Sequence, residues 1–331
     1  MEENENGDAM GQEGKLSIWQ RLRLCFVHAL PSAVRTGLWL LLITVPVSFA
    51  VLLMKVTGLL DIVAHLCKPL FGLFGLPGEA AIVFVTSCLL SIYSCIAVIE
   101  TLGLTGRTVT ILAVMCLISH NIPVECAVQR KAGSNPWRMV GLRLVTSFVA
   151  ALALSALIPA DAVRVASPGA AALPAVSGFA AEFKLWVADI SYLCVKIMVL
   201  ITLLMILQRI LEEFGVTRFL SRILKYPLML LGLPSETAFL WTVANTLGLA
   251  YGAGVILDNV RRGLLSRAHA NLLNYHIAIS HSLLEDTCLF VAIGVSAWWL
   301  TIPRIVLAGI AVWLKRLAER INARRIATPA G

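Results

Sequence analysis

Charged residues are scarce in this sequence. They make up 14% of its 331 residues, against about 25% in a soluble protein. The segment between Arg35 and Lys55 carries no charge at all, and a membrane span needs only about 20 predominantly apolar residues. A soluble enzyme, a disordered protein and a DNA-binding module are therefore excluded as first interpretations. The net charge of +8 indicates basic cytoplasmic ends rather than a nucleic-acid partner.

Motifs that mark catalytic and redox sites are also missing. The eight cysteines include no C-x-x-C pair, which disfavours zinc or iron–sulfur ligation and favours small buried apolar side chains. Neither H-E-x-x-H nor G-x-S-x-G occurs, and both spacings are typical of hydrolytic enzymes. We therefore predict a protein that is not an enzyme and that needs no cofactor. An intramembrane enzyme built from histidines and carboxylates remains a minor alternative.

What the sequence does contain is apolar residues, at 59% and a mean hydropathy of +0.85, arranged in two copies. The motif L-P-x-E occurs at 76–79 and at 233–236, an offset of 157. The pair Ser-His follows at 119–120 and at 280–281, an offset of 161. Repeats of this kind in transporters commonly form two halves around a central site.

Both copies predict the same five elements: a long apolar helix, an amphipathic stretch, a helix interrupted by polar residues, a helix with the Ser-His pair and a final apolar helix. In order, these fall at about 35–55, 58–72, 77–104, 107–131 and 137–158, and at about 185–208, 214–230, 234–259, 266–298 and 302–323. The predicted organisation is a disordered polar tail (1–14), repeat 1 (15–158), a non-cytoplasmic linker (159–182), repeat 2 (183–323) and a basic tail (324–331).

The basic residues predict the topology. Most Lys and Arg fall into clusters that the positive-inside rule places in the cytoplasm; these clusters are 15–35, 130–143, 209–225 with 261–267, and 315–325. Two of them flank the interrupted helix of repeat 2, which must then enter and leave on one side. Each copy has three spans plus one re-entrant hairpin, and because three is odd the copies are inverted. The predicted fold is an all-α membrane protein with cytoplasmic termini, multi-pass in a bacterial inner membrane.

The intramembrane polar residues are the candidate substrate-binding residues. Ionisable groups inside a membrane are costly and usually face a cavity or a partner. Pro123 predicts a break in the first Ser-His helix, because proline removes a backbone donor. The candidates near the two Ser-His pairs are His120, Asn121, Glu125, His281 and Glu285, and those on the interrupted helices are Ser87, Asn245, Thr246, Glu79 and Glu236.

Three alternatives stay open for these residues. His and Glu on one helix can simply fix helix packing through hydrogen bonds. Glu79 and Glu236 follow proline at a helix start, where a carboxylate is favourable without any substrate. Metal binding by His120, His281, Glu125 and Glu285 is the third alternative, since imidazole and carboxylate suit several divalent metals, although no spacing is diagnostic.

At G-L-P-x-E and at S-H-N-I-P-V-E (119–125) the sequence resembles the Gate-domain, or nucleoside-recognition, membrane family. That family includes the permease part of ferrous iron transporter B and the spore maturation proteins. The resemblance covers roughly residues 35–320 and implies a helical bundle with inverted repeats and hairpins. Unlike the iron transporter, this chain has no G-x-x-x-x-G-K-[ST] P-loop.

The resulting hypothesis is a membrane transporter that moves a small polar solute or ion by alternating access, with its site at the repeat interface near the bilayer midplane. The main alternative is a non-transporting membrane scaffold of the spore-maturation type. The expected partners are the lipid bilayer, the solute or ion, and a second copy or a paired Gate-family subunit.

Overall fold

A computed structural model describes residues 17–104, 106–159 and 179–327, and over these ranges the regular structure is entirely helical. The predicted tail at 1–14 and residues 160–178 of the predicted linker lie outside the described residues. The first half contains α1 (Ile18–Val56), α2 (Leu59–Gly72), α3 (Ala80–Leu89), α4 (Ile92–Leu102), α5 (Gly106–Ser119), α6 (Ile122–Lys131) and α7 (Pro136–Leu157). The second contains α8 (Phe179–Glu213), α9 (Val216–Leu230), a 3-10 turn (Ser235–Thr237), α10 (Ala238–Thr246), α11 (Leu249–Arg261), α12 (Arg267–Ser280), α13 (Leu283–Val291) and α14 (Ala297–Ala327).

Five segments of the described chain are long and apolar enough to cross a membrane. They are Ile18–Val56, Gly106–Lys131, Pro136–Leu157, Phe179–Glu213 and Ala297–Arg324. The predicted all-α membrane fold is thus confirmed. Both predicted Ser-His helices are divided: the one at about 107–131 into α5 and α6, and the one at about 266–298 into α12 and α13. Only the first of the two is among these five segments. The first predicted span, at about 35–55, is the second part of α1, which has 39 residues and begins at Ile18.

Helices α1 and α8, which open the two halves, pack along each other in opposite directions. Arg21 near the start of α1 pairs with Glu213 at the end of α8, with 2.8 Å between Nε and Oε1. Lys55 near the end of α1 pairs with Glu182 near the start of α8, with 3.0 Å between Nζ and Oε2. Exposed ion pairs contribute little stability, but their positions show that the two equivalent helices are antiparallel.

Pairs of short helices, α3–α4 and α10–α11, lie where the sequence predicts interrupted helices. They have 9 to 13 residues each, or about 14–20 Å, which is too short to cross the apolar core of a bilayer. Helix α11 folds back on α10. This is shown by Gly252, on which an added Cβ would lie only 2.7 Å from the Cα of Ala244. Residues eight apart in one straight helix are about 12 Å apart, so α10 and α11 form a helical hairpin.

The Ser-His segments break in both halves, as predicted for the first. Helix α5 ends at Ser119 and α12 ends at Ser280, and each resumes after two residues. Asn121 and Ser282 adopt left-handed backbone with φ of 48° and 51°. Their amides leave the helix ladder and donate to carbonyls at the hairpins: Asn121 to Ser87 at 2.9 Å and Ser282 to Ala244 at 3.2 Å. The second half has no proline here, so proline is not required for the break.

Candidate functional site

Six ionisable side chains from both halves meet where the two broken helices approach each other. We call this group the central cluster; it consists of His120, Glu125, Arg143, His281, Asp286 and Arg304. All six side chains are buried, and the two arginines are 0% exposed. Buried charges persist only when they are paired or hydrogen-bonded, and the partners here come largely from the helix breaks.

Each arginine binds the carbonyl groups that a broken helix leaves without amide partners. Arg143 on α7 donates through Nε to Ile118 O and through Nη2 to His120 O, both at 2.6 Å. Arg304 on α14 donates in the same way to Ile279 O at 3.1 Å and to His281 O at 2.5 Å. All three positions differ by 161 between the halves. The fork of N–H donors on a guanidinium suits this double contact, so the arginines hold the breaks open.

The two histidines and Glu125 form a compact triad. His281 Nε2 lies 3.3 Å from His120 Nε2 and 3.0 Å from Glu125 Oε1. His120 Nε2 lies 3.1 Å from the same Glu125 oxygen. The other carboxylate oxygen, Oε2, forms an ion pair with Arg143 Nη1 at 2.6 Å. One carboxylate oxygen is therefore shared by both imidazoles while the second is held by a guanidinium.

Asp286 is the equivalent of Glu125 in the second half, but its carboxylate lies beyond hydrogen-bond distance of the triad. Its Oδ2 lies 4.0 Å from His120 Nε2 and 3.8 Å from Arg304 Nη2. This oxygen is buried and has no hydrogen-bond partner among the described residues. An unsatisfied buried acceptor is costly, so Asp286 is a carboxylate with spare binding capacity beside the triad.

A cavity of about 630 Å³ adjoins the central cluster. We call it the central cavity, and this size lies within the range of small-molecule sites. Its walls come from α1, α8, both helix breaks and the turns of both short-helix pairs; they include Trp39, Leu90, Ser91, Tyr93, His120, Asn121, Glu125, Met205, Gln208, Leu247, Gly248, Ser282, Glu285 and Asp286. The cavity is thus built by both halves, as the repeat hypothesis requires.

Glu285 is the centre of a second group of polar side chains on the cavity wall. Tyr93 donates its hydroxyl hydrogen to Glu285 Oε1 at 3.0 Å, and Gln208 donates to Glu285 Oε2 at 3.5 Å. Most of the remaining lining is aliphatic or aromatic. An apolar wall with a few convergent polar groups is the usual composition of a ligand pocket.

The structure brings five of the ten predicted binding residues together at the central cavity: His120, Asn121, Glu125 and Glu285 line it, and His281 lies behind His120. Ser87 and Asn245 are instead buried in the hairpins, where Ser87 donates to Cys116 O at 3.4 Å and Asn245 donates to Trp241 O at 2.9 Å.

Thr246, Glu79 and Glu236, although all within the described ranges, are not among the residues that line the cavity. Thr246 donates to Thr242 O at 2.8 Å. Glu79 precedes α3 as its N-cap residue. Glu236 is exposed in the 3-10 turn and forms an ion pair with His269.

Sequence reasoning missed the two arginines. The positive-inside rule groups Arg143 with the basic residues at 130–143, but its side chain is fully buried, so Arg143 is not part of a solvent-exposed basic cluster. A signal was available: Arg143 and Arg304 share the offset of 161 that relates the two Ser-His pairs. An arginine that recurs in register inside two apolar helices indicates a buried structural partner.

Comparison with known proteins places the chain among membrane proteins. It is 31% identical over 292 residues to YvoD, an uncharacterized membrane protein of Bacillus subtilis (strain 168), and the match covers 87% of this chain and 92% of YvoD. It is 43% identical over 76 residues to the inner membrane protein YjiG of Escherichia coli (strain K12), a match that spans 22% of this chain and 48% of YjiG. No protein-family model matches the chain, and no solved structure matches it. The match to YvoD extends over nearly the whole of both proteins, and this chain belongs to the membrane-protein family that includes YvoD.

Proposed function

We propose that this membrane protein is a transporter that binds a small polar solute or ion in the central cavity and moves it by alternating access. The observation that carries this proposal is the composition of the cavity wall, to which both halves contribute helix breaks. Irregular backbone at membrane depth is tolerated where it is buried in protein or lines a cavity. Broken helices that meet at a repeat interface are typical of secondary transporters. The proposal assigns binding and movement to the site, not covalent chemistry.

The antiparallel packing of α1 and α8 supports an inverted arrangement of the two halves. In alternating access, one half moves against the other around a site on their pseudo-twofold axis. The close approach of His120 and His281, which occupy equivalent positions, is what such an axis would produce. Cysteines introduced at Asp61 on α2 and Leu220 on α9 should then react with an impermeant reagent from opposite sides. Reaction of both from the same side would contradict the inversion.

The basic clusters at 15–35 and 315–325 support cytoplasmic termini through the positive-inside rule, and an inner-membrane location is supported by YjiG, which is named as an inner membrane protein. The Gate-domain family that the sequence resembles includes spore maturation proteins, so a membrane scaffold that pairs with another subunit is the competing function. A scaffold needs no solute. The polar wall formed by Tyr93, Gln208 and Glu285 favours the transporter, because a purely structural cavity gains nothing from carboxylates held open to it.

Thermal unfolding of the detergent-solubilised protein tests the proposal, with nucleosides, nucleobases, amino acids and phosphate compounds added singly, with and without sodium. A ligand at 100 times its Kd stabilises the folded state by about 2.7 kcal/mol. The stabilising solute should also enter proteoliposomes, and Tyr93→Phe should weaken both effects because it removes one of the two donors that position Glu285. Thr246→Val is the control, since the Thr246 hydroxyl donates to Thr242 O of its own helix and Thr246 is not among the residues that line the cavity. Stabilisation without uptake, or no stabilisation by any compound, would favour the scaffold.

A further inference from the structure

We propose that His120, Glu125 and His281 bind a divalent transition-metal cation of the Zn²⁺ class, with Asp286 beside the fourth ligand position. The inference stands on the geometry of the triad and is independent of whether the chain transports a solute. Imidazole nitrogen and carboxylate oxygen are typical ligands of Zn²⁺ and of its neighbours in the first transition row.

The orientation of the two imidazoles presents their lone pairs to one another. His120 Nδ1 lies 3.3 Å from Cys116 O, and His281 Nδ1 lies 2.7 Å from Ile277 O. A carbonyl oxygen accepts only, so each Nδ1 carries the hydrogen, and in a neutral ring Nε2 is then an acceptor. With neutral rings, both Nε2 atoms and Glu125 Oε1 therefore converge as three acceptors, an arrangement that either protons or a metal cation must satisfy.

A metal ion satisfies the triad better than protons do. One proton on an Nε2 atom forms only one imidazole–carboxylate hydrogen bond. Two protons serve both such contacts, but they leave two cationic rings with Nε2 atoms 3.3 Å apart. A metal cation accepts a lone pair from all three atoms at once, which is how neutral imidazoles and a carboxylate act as ligands.

The spacing of the three atoms fits a tetrahedral site. Their separations are 3.0, 3.1 and 3.3 Å. With Zn–N and Zn–O bonds of about 2.0–2.2 Å, two ligand atoms of a regular tetrahedron are about 3.3–3.6 Å apart, so the three atoms need to separate by only a few tenths of an ångström. An ion equidistant from the three atoms at about 2.1 Å would lie about 1 Å out of their plane, leaving one side for a fourth ligand.

Each ligand also has the supporting partner that metal sites use. Ligating histidines usually donate their second N–H to a carbonyl or carboxylate, and ligating carboxylates are themselves bound by a further group. Here the carbonyls of Cys116 and Ile277 orient the two rings, and Arg143 holds the second oxygen of Glu125. The triad is therefore preorganised, with its rings and carboxylate already aimed at one point.

Charge and access fit an ion with an anionic fourth ligand. The three carboxylates of Glu125, Glu285 and Asp286 exceed the two guanidiniums of Arg143 and Arg304 by one negative charge. A divalent cation leaves one positive charge, which a hydroxide or an anionic solute would neutralise. His120, Glu125 and Asp286 line the central cavity, so the ion has a route in, and Asp286 Oδ2 offers an acceptor that has no hydrogen-bond partner among the described residues.

Titration of the tag-free, chelator-stripped protein in detergent with Co²⁺ tests the inference. Four-coordinate Co²⁺ gives intense visible bands that octahedral Co²⁺ in water does not. We expect one equivalent of Co²⁺ to develop these bands and Zn²⁺ to abolish them. Loss of a supporting partner costs about 10–100-fold in metal affinity, so His120→Gln and His281→Gln should each weaken binding by at least about 100-fold.

His276→Gln is the matched control. His276 lies on α12, the helix that ends just before His281, and it is fully buried. Its ring hydrogen-bonds to Trp241 at 3.0 Å and to Ser280 at 2.8 Å, which are not triad residues. It should bind Co²⁺ as the natural protein does. If the triad variants do not fold, X-ray absorption spectroscopy of the zinc-loaded natural protein still tests the inference. The spectrum should show two imidazole ligands on the zinc ion. Absence of the Co²⁺ bands, undiminished binding in both triad variants, or a spectrum without imidazole would overturn the inference and leave a proton-sharing cluster.

Discussion

The two halves of this molecule build the same scaffold around different carboxylates. Arg143 and Arg304 make matching contacts to the carbonyls of broken helices. Glu125, however, reaches both imidazoles within 3.1 Å, whereas Asp286 stops 4.0 Å from His120. Paired helices thus supply pseudo-symmetry, and a difference of one methylene group makes the site asymmetric. The scaffold of a repeat and the chemistry that it holds are therefore specified by different residues.

The largest expected difference between the halves concerns the arginines. Arg143→Met should lower the free energy of unfolding by about 3–5 kcal/mol, because it leaves the buried carboxylate of Glu125 without its charge partner. Arg304→Met should cost less, about 1–3 kcal/mol, since Asp286 is 3.8 Å away and most of the loss is hydrogen bonds to carbonyls. Denaturant unfolding in detergent measures both. Equal losses would mean that the ion pair of Arg143 adds nothing beyond the carbonyl contacts.

The contacts of these arginines are also the part of the site that could not be predicted from the sequence. Long apolar runs predicted the helices, since a span needs about 20 apolar residues whatever it packs against. The recurring Ser-His pair found the triad histidines, because repeats bring equivalent residues to a shared interface. The shared offset of 161 could indicate that Arg143 is buried. It could not show that Arg143 bonds to the carbonyls of its own helix break, or that Asn245 bonds to Trp241 O instead of a solute. Those outcomes depend on tertiary packing.

Exchanging the two carboxylates tests whether the two halves are interchangeable around the triad. Glu125→Asp should withdraw the shared oxygen from the imidazoles and weaken Co²⁺ binding by about 10–100-fold. Asp286→Glu adds a methylene group on the other side, so the double variant should recover most of the lost affinity if the halves are interchangeable around the triad. The Co²⁺ absorption titration measures all three variants. A double variant as weak as Glu125→Asp would show that only the first half can supply the central carboxylate.

The loop before α3 leaves less space for a side chain than the equivalent turn before α10. A Cβ on Gly78 would lie 1.9 Å from Ala64 O of α2, whereas the equivalent Ser235 is exposed. Gly78→Ala should therefore destabilise the protein by about 1–3 kcal/mol through overpacking. Ser235→Ala should change stability by less than about 0.5 kcal/mol. Thermal unfolding of the two variants side by side measures the difference, and equal melting temperatures would mean that α2 yields to the new methyl group.

The smallest expected changes in the free energy of unfolding concern Asn121 and Ser282, the two residues with left-handed backbone. The sign of the change should differ between them. Left-handed backbone costs an L-residue about 1–2 kcal/mol, and asparagine tolerates it better than serine. Ser282→Gly should therefore stabilise the protein by up to about 1 kcal/mol. Asn121→Gly should be neutral or slightly destabilising, because glycine loses about 0.5–1 kcal/mol more chain entropy on folding. Ser282→Ala, which removes the hydroxyl but keeps Cβ, isolates the backbone term in the same unfolding measurement. If the Gly and Ala variants at 282 are equally stable, Arg304 and the Ala244 carbonyl hold the break without measurable strain, and the second half needs neither proline nor glycine to open its helix.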